Sequence, residues 1–207
     1  MPHTGSVLRR TGRTLLAATV MMVVLTVVLG VIYPLVITGI GQLALPWQSN
    51  GSVVRNADGK AVGSALLGQS FSDAHGDPLP QYFQPRPSDT TDGYGGTTSG
   101  GSNLGPESSK LIDEIKQRKA AIAAFDGVPE SEVPVDAVTA SASGLDPHIS
   151  PAYAKIQEAR VARARGIPLV QVQALVAKYT QGPDLGYLGQ SIVNVVELNH
   201  ALDQLSK

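Results

Sequence analysis

The chain has 207 residues, 16 Lys and Arg against 17 Asp and Glu, and no cysteine. The balance excludes the basic footprint of a nucleic-acid binder, and the absence of cysteine excludes a disulfide framework and a thiolate metal site. With only 5% aromatic residues, a core must be built mainly from Val, Leu, Ile and Ala.

No charged residue occurs between Arg13 and Arg55, and Leu15 to Ile40 is almost continuously apolar. About 26 residues at ~1.5 Å each make a helix of roughly 39 Å, longer than the ~30 Å hydrocarbon core of a bilayer. Residues 15–40 are therefore predicted to form a transmembrane helix. Arg9, Arg10 and Arg13 precede it without a nearby acid, which predicts a cytoplasmic basic arm over 1–14 and an extracytoplasmic soluble domain over 41–207. The rival reading is a cleaved signal peptide, but its apolar region is usually ~7–15 residues long, and Gln42-Leu43-Ala44 is a poor cleavage site. Trp47 suits an outer interfacial anchor. The expected location is the inner or plasma membrane, crossed once.

Inside the span, Thr26, Gly30, Pro34 and Thr38 recur every four residues and are read as one helix face that another membrane helix can approach closely; the competing reading is ordinary membrane-helix composition. Pro34 is expected to bend the helix, since it removes a backbone donor and clashes with the preceding turn.

In the remainder, Ser52-Val53-Val54 and Ala61-Val62 flank the turn cluster Asn56-Ala57-Asp58-Gly59, which predicts a β-hairpin. From Asp77 to Gly105 the composition shifts to Pro, then Gly, Thr and Ser, which predicts a long irregular segment. A helix is expected to open at Pro106 with Leu111, Ile115, Ile122 and Phe125 on one face. Ser150-Pro151 supplies an N-cap for a helix ending at Gly166. Val172, Leu175, Val176 and Tyr179 follow at amphipathic spacing after Pro168, and Asn194 and Glu197 have capping-box spacing before Leu198, Leu202 and Leu205. The predicted class is one N-terminal transmembrane helix followed by an α+β domain with a helical majority and a small β-hairpin or sheet.

The chemistry is sparse. Ser141, Ser143, Asp146 and His148 lie within one short segment, whereas a nucleophile, base and orienting acid must converge in space, and no Gly-x-Ser-x-Gly elbow is present. Asp73, His75 and Asp77 alternate like metal ligands but suit a turn-rich loop equally well. The Gly-rich run from Gly93 to Gly105 lacks the Gly-Lys-Ser/Thr ending of a P-loop, leaving Ser99, Gly100 and Gly101 as the candidate cofactor-binding residues.

Three blocks carry a specific resemblance: Tyr82 to Ser88 (YFQPRPS), Gly100 to Pro106 (GGSNLGP), and Val133 to Pro151 (VPVDAVTASASGLDPHISP). In that order they resemble the KdpC subunits of bacterial Kdp potassium-transporting ATPases. The resemblance continues through Arg160-Val161-Ala162, Arg165-Gly166, Leu185-Gly186, Leu188-Gly189, Val193-Asn194-Val195 and Leu198-Asn199. Gly182-Pro183-Asp184 departs from it, standing where many relatives are expected to carry a basic residue. The resemblance implies a non-catalytic accessory subunit beside a channel-like potassium subunit, a P-type ATPase subunit and a small peptide subunit. It also implies a catalytic-chaperone role that raises the pump's ATP affinity, with ATP and potassium belonging to the complex and no cofactor or metal of the chain's own. An exterior domain could exert such an effect only through the membrane subunits. The resemblance transfers no catalytic residue; Arg86, Asn103, Ser141, Ser143 and Asp146 are the candidate motif or interface residues. The alternative is a free-standing membrane-anchored binding protein or enzyme.

Overall fold

The computed structural model describes residues 4–56, 58–90 and 94–205; Ala57 of the predicted turn and Gly93 at the head of the Gly-rich run lie outside the described residues. The chain divides into two units, Met1–Ser52 and Val53–Lys207.

In the first unit, α1 (Thr4–Val27) passes through a π-helical turn over Val28–Ile32 into α2 (Tyr33–Ala44), and a short α3 (Pro46–Ser49) follows the break at Leu45. The stretch Arg9–Ala44 is 36 residues long, apolar enough to cross a membrane, and its apolar window is unburied. Pro34 explains the π turn. Lacking an N–H, it cannot bond the Gly30 carbonyl as an α-helix requires, and the ladder is re-spaced just upstream, where the Tyr33 N–H reaches back five residues to the Val28 carbonyl. The turn also changes the phase of the helix. At about 100° per residue, twelve α-helical residues would carry Thr38 about 120° away from Thr26. Absorbing one extra residue returns it to within about 20°, so Thr26, Gly30, Pro34 and Thr38 share a face because of the π turn. The Thr26 hydroxyl donates back to the Met22 carbonyl at 2.8 Å, so it presents its methyl rather than a free donor.

The second unit opens with β1 (Val53–Arg55) and β2 (Ala61–Ser64), antiparallel with Val54 opposite Gly63. Asn56 Oδ1 holds the turn by accepting the N–H groups of Asp58 (3.1 Å) and Lys60 (2.9 Å). No helix or multi-residue strand forms among the described residues between Ala65 and Ser108. Then α4 (Ser109–Asp126) begins three residues later than its sequence signal at Pro106, because the Ser108 N–H is committed to the Gly105 carbonyl in a turn (3.0 Å). A 3₁₀ turn at Glu130–Glu132 leads to α5 (Val135–Val138), β3 (His148–Ile149) and α6 (Pro151–Arg165). The Ser150 hydroxyl caps α6 by accepting the Tyr153 N–H (3.0 Å), and Gly166 at φ +65° stops it. After α7 (Leu169–Tyr179) come β4 (Thr180–Gln181), β5 (Ile192–Asn194) and α8 (Val195–Leu205), with β5 central in an antiparallel sheet of order β3-β5-β4. Asn194 Oδ1 caps α8 by accepting the N–H groups of Val196 (3.1 Å) and Glu197 (3.2 Å). Leu198 and Leu202 are fully buried, whereas Leu205, in the last turn, is 47% exposed.

The core gathers Phe83, Ile149, Tyr153, Val161, Val172, Val193 and Leu198 from the long loop, the sheet and three helices. Phe83 sits on an extended segment with no strand beside it, and burying its ring buries its backbone. Side chains supply the missing partners. The Phe83 N–H donates to Asn199 Oδ1 (2.8 Å) and Asn199 Nδ2 donates to the Phe83 carbonyl (2.9 Å). One residue on, the Gln84 N–H donates to Gln157 Oε1 (2.6 Å) and Gln157 Nε2 donates to the Gln84 carbonyl (3.2 Å). Upstream, Arg160 donates to the Pro80 and Tyr82 carbonyls and Arg165 to the Gln81 carbonyl.

Asn199→Ala should leave two buried backbone groups unpaired and cost about 2–6 kcal/mol, at ~1–3 for each group. In urea unfolding of the chain in detergent micelles the midpoint should fall with the slope unchanged. Asp203→Ala, at the half-exposed end of the same helix, should cost less than about 1 kcal/mol.

Candidate functional site

The candidate residues fall on three loops, and the structure brings most of them together. Pro85 and Pro87 stiffen the chain on either side of Arg86 as it leaves the clamped segment. Arg86 Nη1 donates to Asp146 Oδ2 at 3.0 Å, and its other nitrogens reach the Thr139 and Ala140 carbonyls at 3.3–3.4 Å. The opposite oxygen of Asp146 accepts the His148 N–H (3.0 Å) and faces His148 Nδ1 at 3.2 Å. Burial pushes the Asp146 carboxyl up, but the hydrogen bonds from His148 and the charges of His148 and Arg86 outweigh it and hold the group below its ordinary value.

Ser141 and Ser143 serve the same loop. The Ser141 hydroxyl accepts the Gly144 N–H and the Ser143 hydroxyl accepts the Leu145 N–H, each at 3.1 Å, and the two oxygens lie 3.1 Å apart. The Ser141 N–H donates to the Pro87 carbonyl (3.0 Å) and the Ser88 hydroxyl to the Gly144 carbonyl (2.7 Å), stitching the 86–88 and 141–144 segments edge to edge. Serine hydroxyls engaged in this way position backbone, as Ser and Thr commonly do in turns.

Ser99, Gly100 and Gly101 form the third loop. The Ser99 hydroxyl (3.1 Å) and the Gly100 N–H (2.9 Å) both donate to the Ser143 carbonyl. A Cβ on Gly101 would stand 3.1 Å from the Ala142 carbonyl oxygen, so this run hugs the 141–144 turn. Gly144 has φ +69°, and a Cβ there would meet Thr90 at 2.4 Å and the Gly100 carbonyl at 2.8 Å. Asn103 is exposed with φ +52°, and no hydrogen bond links it to this cluster among the described residues. Asp73 Oδ1 accepts the N–H groups of His75 (2.8 Å) and Asp77 (3.0 Å), a loop-closing arrangement.

Sequence reasoning missed the polar residues that matter most to the fold. Gln157 and Arg160 lie on the buried face of α6 among Tyr153, Ala154 and Val161. Arg160 Nε donates to Asp126 Oδ1 (2.7 Å) and its guanidinium stacks 4.3 Å from the Phe125 ring. Burial raises the Asp126 carboxyl above its ordinary value, opposed by the Arg160 hydrogen bond and charge. Asp136 was missed as well; it accepts both the Ser150 N–H (2.7 Å) and the Ser150 hydroxyl (2.8 Å). The available signal was the 3.6-residue period of α6, which places Gln157 and Arg160 beside apolar neighbours.

Because Asp146 is held below its ordinary value of 3.8, its contribution to stability is complete above that pH and disappears as pH falls through the depressed value. The stability difference between the parent chain and Asp146→Asn, measured by urea unfolding at a series of pH values, should be fully present near pH 5 and shrink below about 4.

Residues 15–204 match the family model described as KdpC, the K+-transporting ATPase c chain. A potassium-transporting ATPase KdpC subunit of Ralstonia nicotianae is 51% identical over 205 residues, covering 99% of this chain and 94% of the relative. The corresponding subunit of Kineococcus radiotolerans is 51% identical over 88% of this chain and 89% of its own length. That of Mycobacterium tuberculosis (strain H37Ra) is 47% identical over 93% and 99%. On a match that runs through the apolar helix and the folded domain alike, the chain belongs to the KdpC family.

Proposed function

We infer that this chain is a non-catalytic accessory subunit of a high-affinity, ATP-driven potassium importer. Its partners in this reading are a channel-like potassium subunit, a P-type ATPase subunit and a small peptide subunit. The family match from residue 15 to 204 carries the reading. The helix crosses the membrane once with Arg9, Arg10 and Arg13 in the cytoplasm, and the domain after it lies outside. There it assembles and stabilises the complex, and ATP and potassium are handled by the other subunits. Any effect on nucleotide affinity then passes through the membrane subunits as a coupling free energy. The hydrogen bonding of Arg86, Ser141, Ser143 and Asp146 supports this reading, since each side chain is engaged in holding loops.

A reporter fused after Lys207 should behave as exported; a cytoplasmic signal there would overturn the topology. The small-residue face is assigned to packing against a partner helix. A Cβ at Gly30 meets nothing closer than Thr26 Cγ2 at 4.0 Å, so the helix itself tolerates a side chain there. Gly30→Leu should therefore insert normally and yet weaken retention in the complex by about 1–3 kcal/mol, while Val27→Leu does little. Co-purification with the ATPase subunit after mild detergent extraction, beside a check of membrane levels, reads this out. Equal co-purification of Gly30→Leu and the unmodified chain would assign assembly to the exterior domain alone.

A further inference from the structure

Beyond β4 the chain makes a tight hairpin whose apolar side chains face outward. Asp184 and Leu188 pair across it, each N–H donating to the other's carbonyl at 2.9 Å, and the Tyr187 N–H closes the turn on the Asp184 carbonyl at 3.2 Å. The two central residues, Leu185 and Gly186, both have positive φ, +53° and +83°. That geometry favours Asn-Gly or Asp-Gly, and a bulky leucine in the left-handed region is a costly choice. Leu185 is also 82% exposed, Tyr187 74% and Leu188 51%. The turn thus combines backbone strain with an exposed apolar tip, and neither stabilises the chain by itself.

The surrounding charge selects the occupant. Within the sequence, no Lys or Arg occurs between Lys178 and Lys207, and the exposed Asp184 stands in the turn itself. An anionic lipid surface attracts basic segments, and this one offers none. A second copy of the tip would bring one Asp184 against another. An apolar or aromatic recess with a basic rim suits both features: Tyr187 and Leu185 fill it as anchors, and Asp184 pairs at its edge. We propose that the hairpin tip from Asp184 to Leu188 docks into an apolar, basic-rimmed recess on the extracytoplasmic surface of another subunit of the transport complex. The proposal rests on the assembly role and topology inferred above.

Leu185→Asn places a turn-favoured residue in the left-handed position, so it separates structure from contact. The full-length Leu185→Asn/Tyr187→Ser chain, co-expressed with the other subunits, should melt in detergent no lower than the unmodified chain yet recover them about tenfold less well. Undiminished recovery by the variant overturns docking at the tip while leaving the assembly role intact. Failure of the unmodified chain to recover any subunit overturns both, and is distinguishable for that reason. A lower melting temperature with normal recovery marks the tip as a structural element and also overturns the proposal. A benzophenone side chain placed at position 187 identifies the occupant: an adduct with another subunit supports docking, whereas an adduct with lipid or with a second copy of this chain overturns it.

Discussion

An extended segment without a neighbouring strand is the constraint around which the domain is organised. Phe83 must be buried to fill the core, and its peptide groups go in with it. The flanking elements are helices, whose own backbone groups are already spent, so only side chains can serve. A primary amide carries a donor and an acceptor a short distance apart, which is what one face of an extended residue presents. Asn199 on α8 and Gln157 on α6 each satisfy one residue completely, from opposite sides, as the alternation of extended backbone demands. Arg160 completes the arrangement because its planar fork reaches two carbonyls, the Gln157 oxygen and the Asp126 carboxylate together. A lysine there could supply charge but not that divergent set of donors.

From this clamp the connections form a closed circuit. Pro85 and Pro87 fix the direction in which Arg86 leaves, and Arg86 grips Asp146. Asp146 sets the backbone at His148, which pairs with Asn194 in the sheet. Asn194 caps α8, and α8 returns Asn199 to Phe83. The three sequence blocks that carry the family resemblance are therefore parts of one mutually dependent assembly, with the Ser99 to Gly101 run laid across the 141–144 turn as its outer strap. Where its members are buried, as at Gln157, Arg160, Asn194 and Asn199, loosening one leaves polar groups on the next unpaired, which makes the network costly to break there.

The helices were legible in the sequence because their signals are local. Ser150-Pro151, Gly166 and Asn194 mark boundaries through bonds made within three residues, and the alternation around Asn56 marks the hairpin. The start of α4 was displaced because the competing turn at Gly105 to Ser108 uses the same residue types as a helix N-terminus. What sequence alone could not supply were the partners of Phe83 and Gln84, which lie 116 and 73 residues away. Nor could it supply the π turn: a four-residue repeat of small residues looks like one face only to an eye that ignores the accumulating drift, and the physical correction sits in Pro34 and the shifted bond from Tyr33 to Val28.

A consequence for coupling follows from what the circuit consumes. Its polar side chains are spent largely on one another and on backbone groups, while Leu185, at 82% the most exposed large apolar side chain among the described residues after Ser52, stands on a strained turn between β4 and β5. A subunit of this kind can alter a partner only if its contact free energy differs between the partner's conformational states, because a contact of equal strength in both shifts nothing. A domain closed by such a circuit of buried hydrogen bonds meets that requirement better than a loose one. A well-packed contact loses energy on a displacement of a fraction of a side chain, whereas a compliant domain would follow the motion and report no difference.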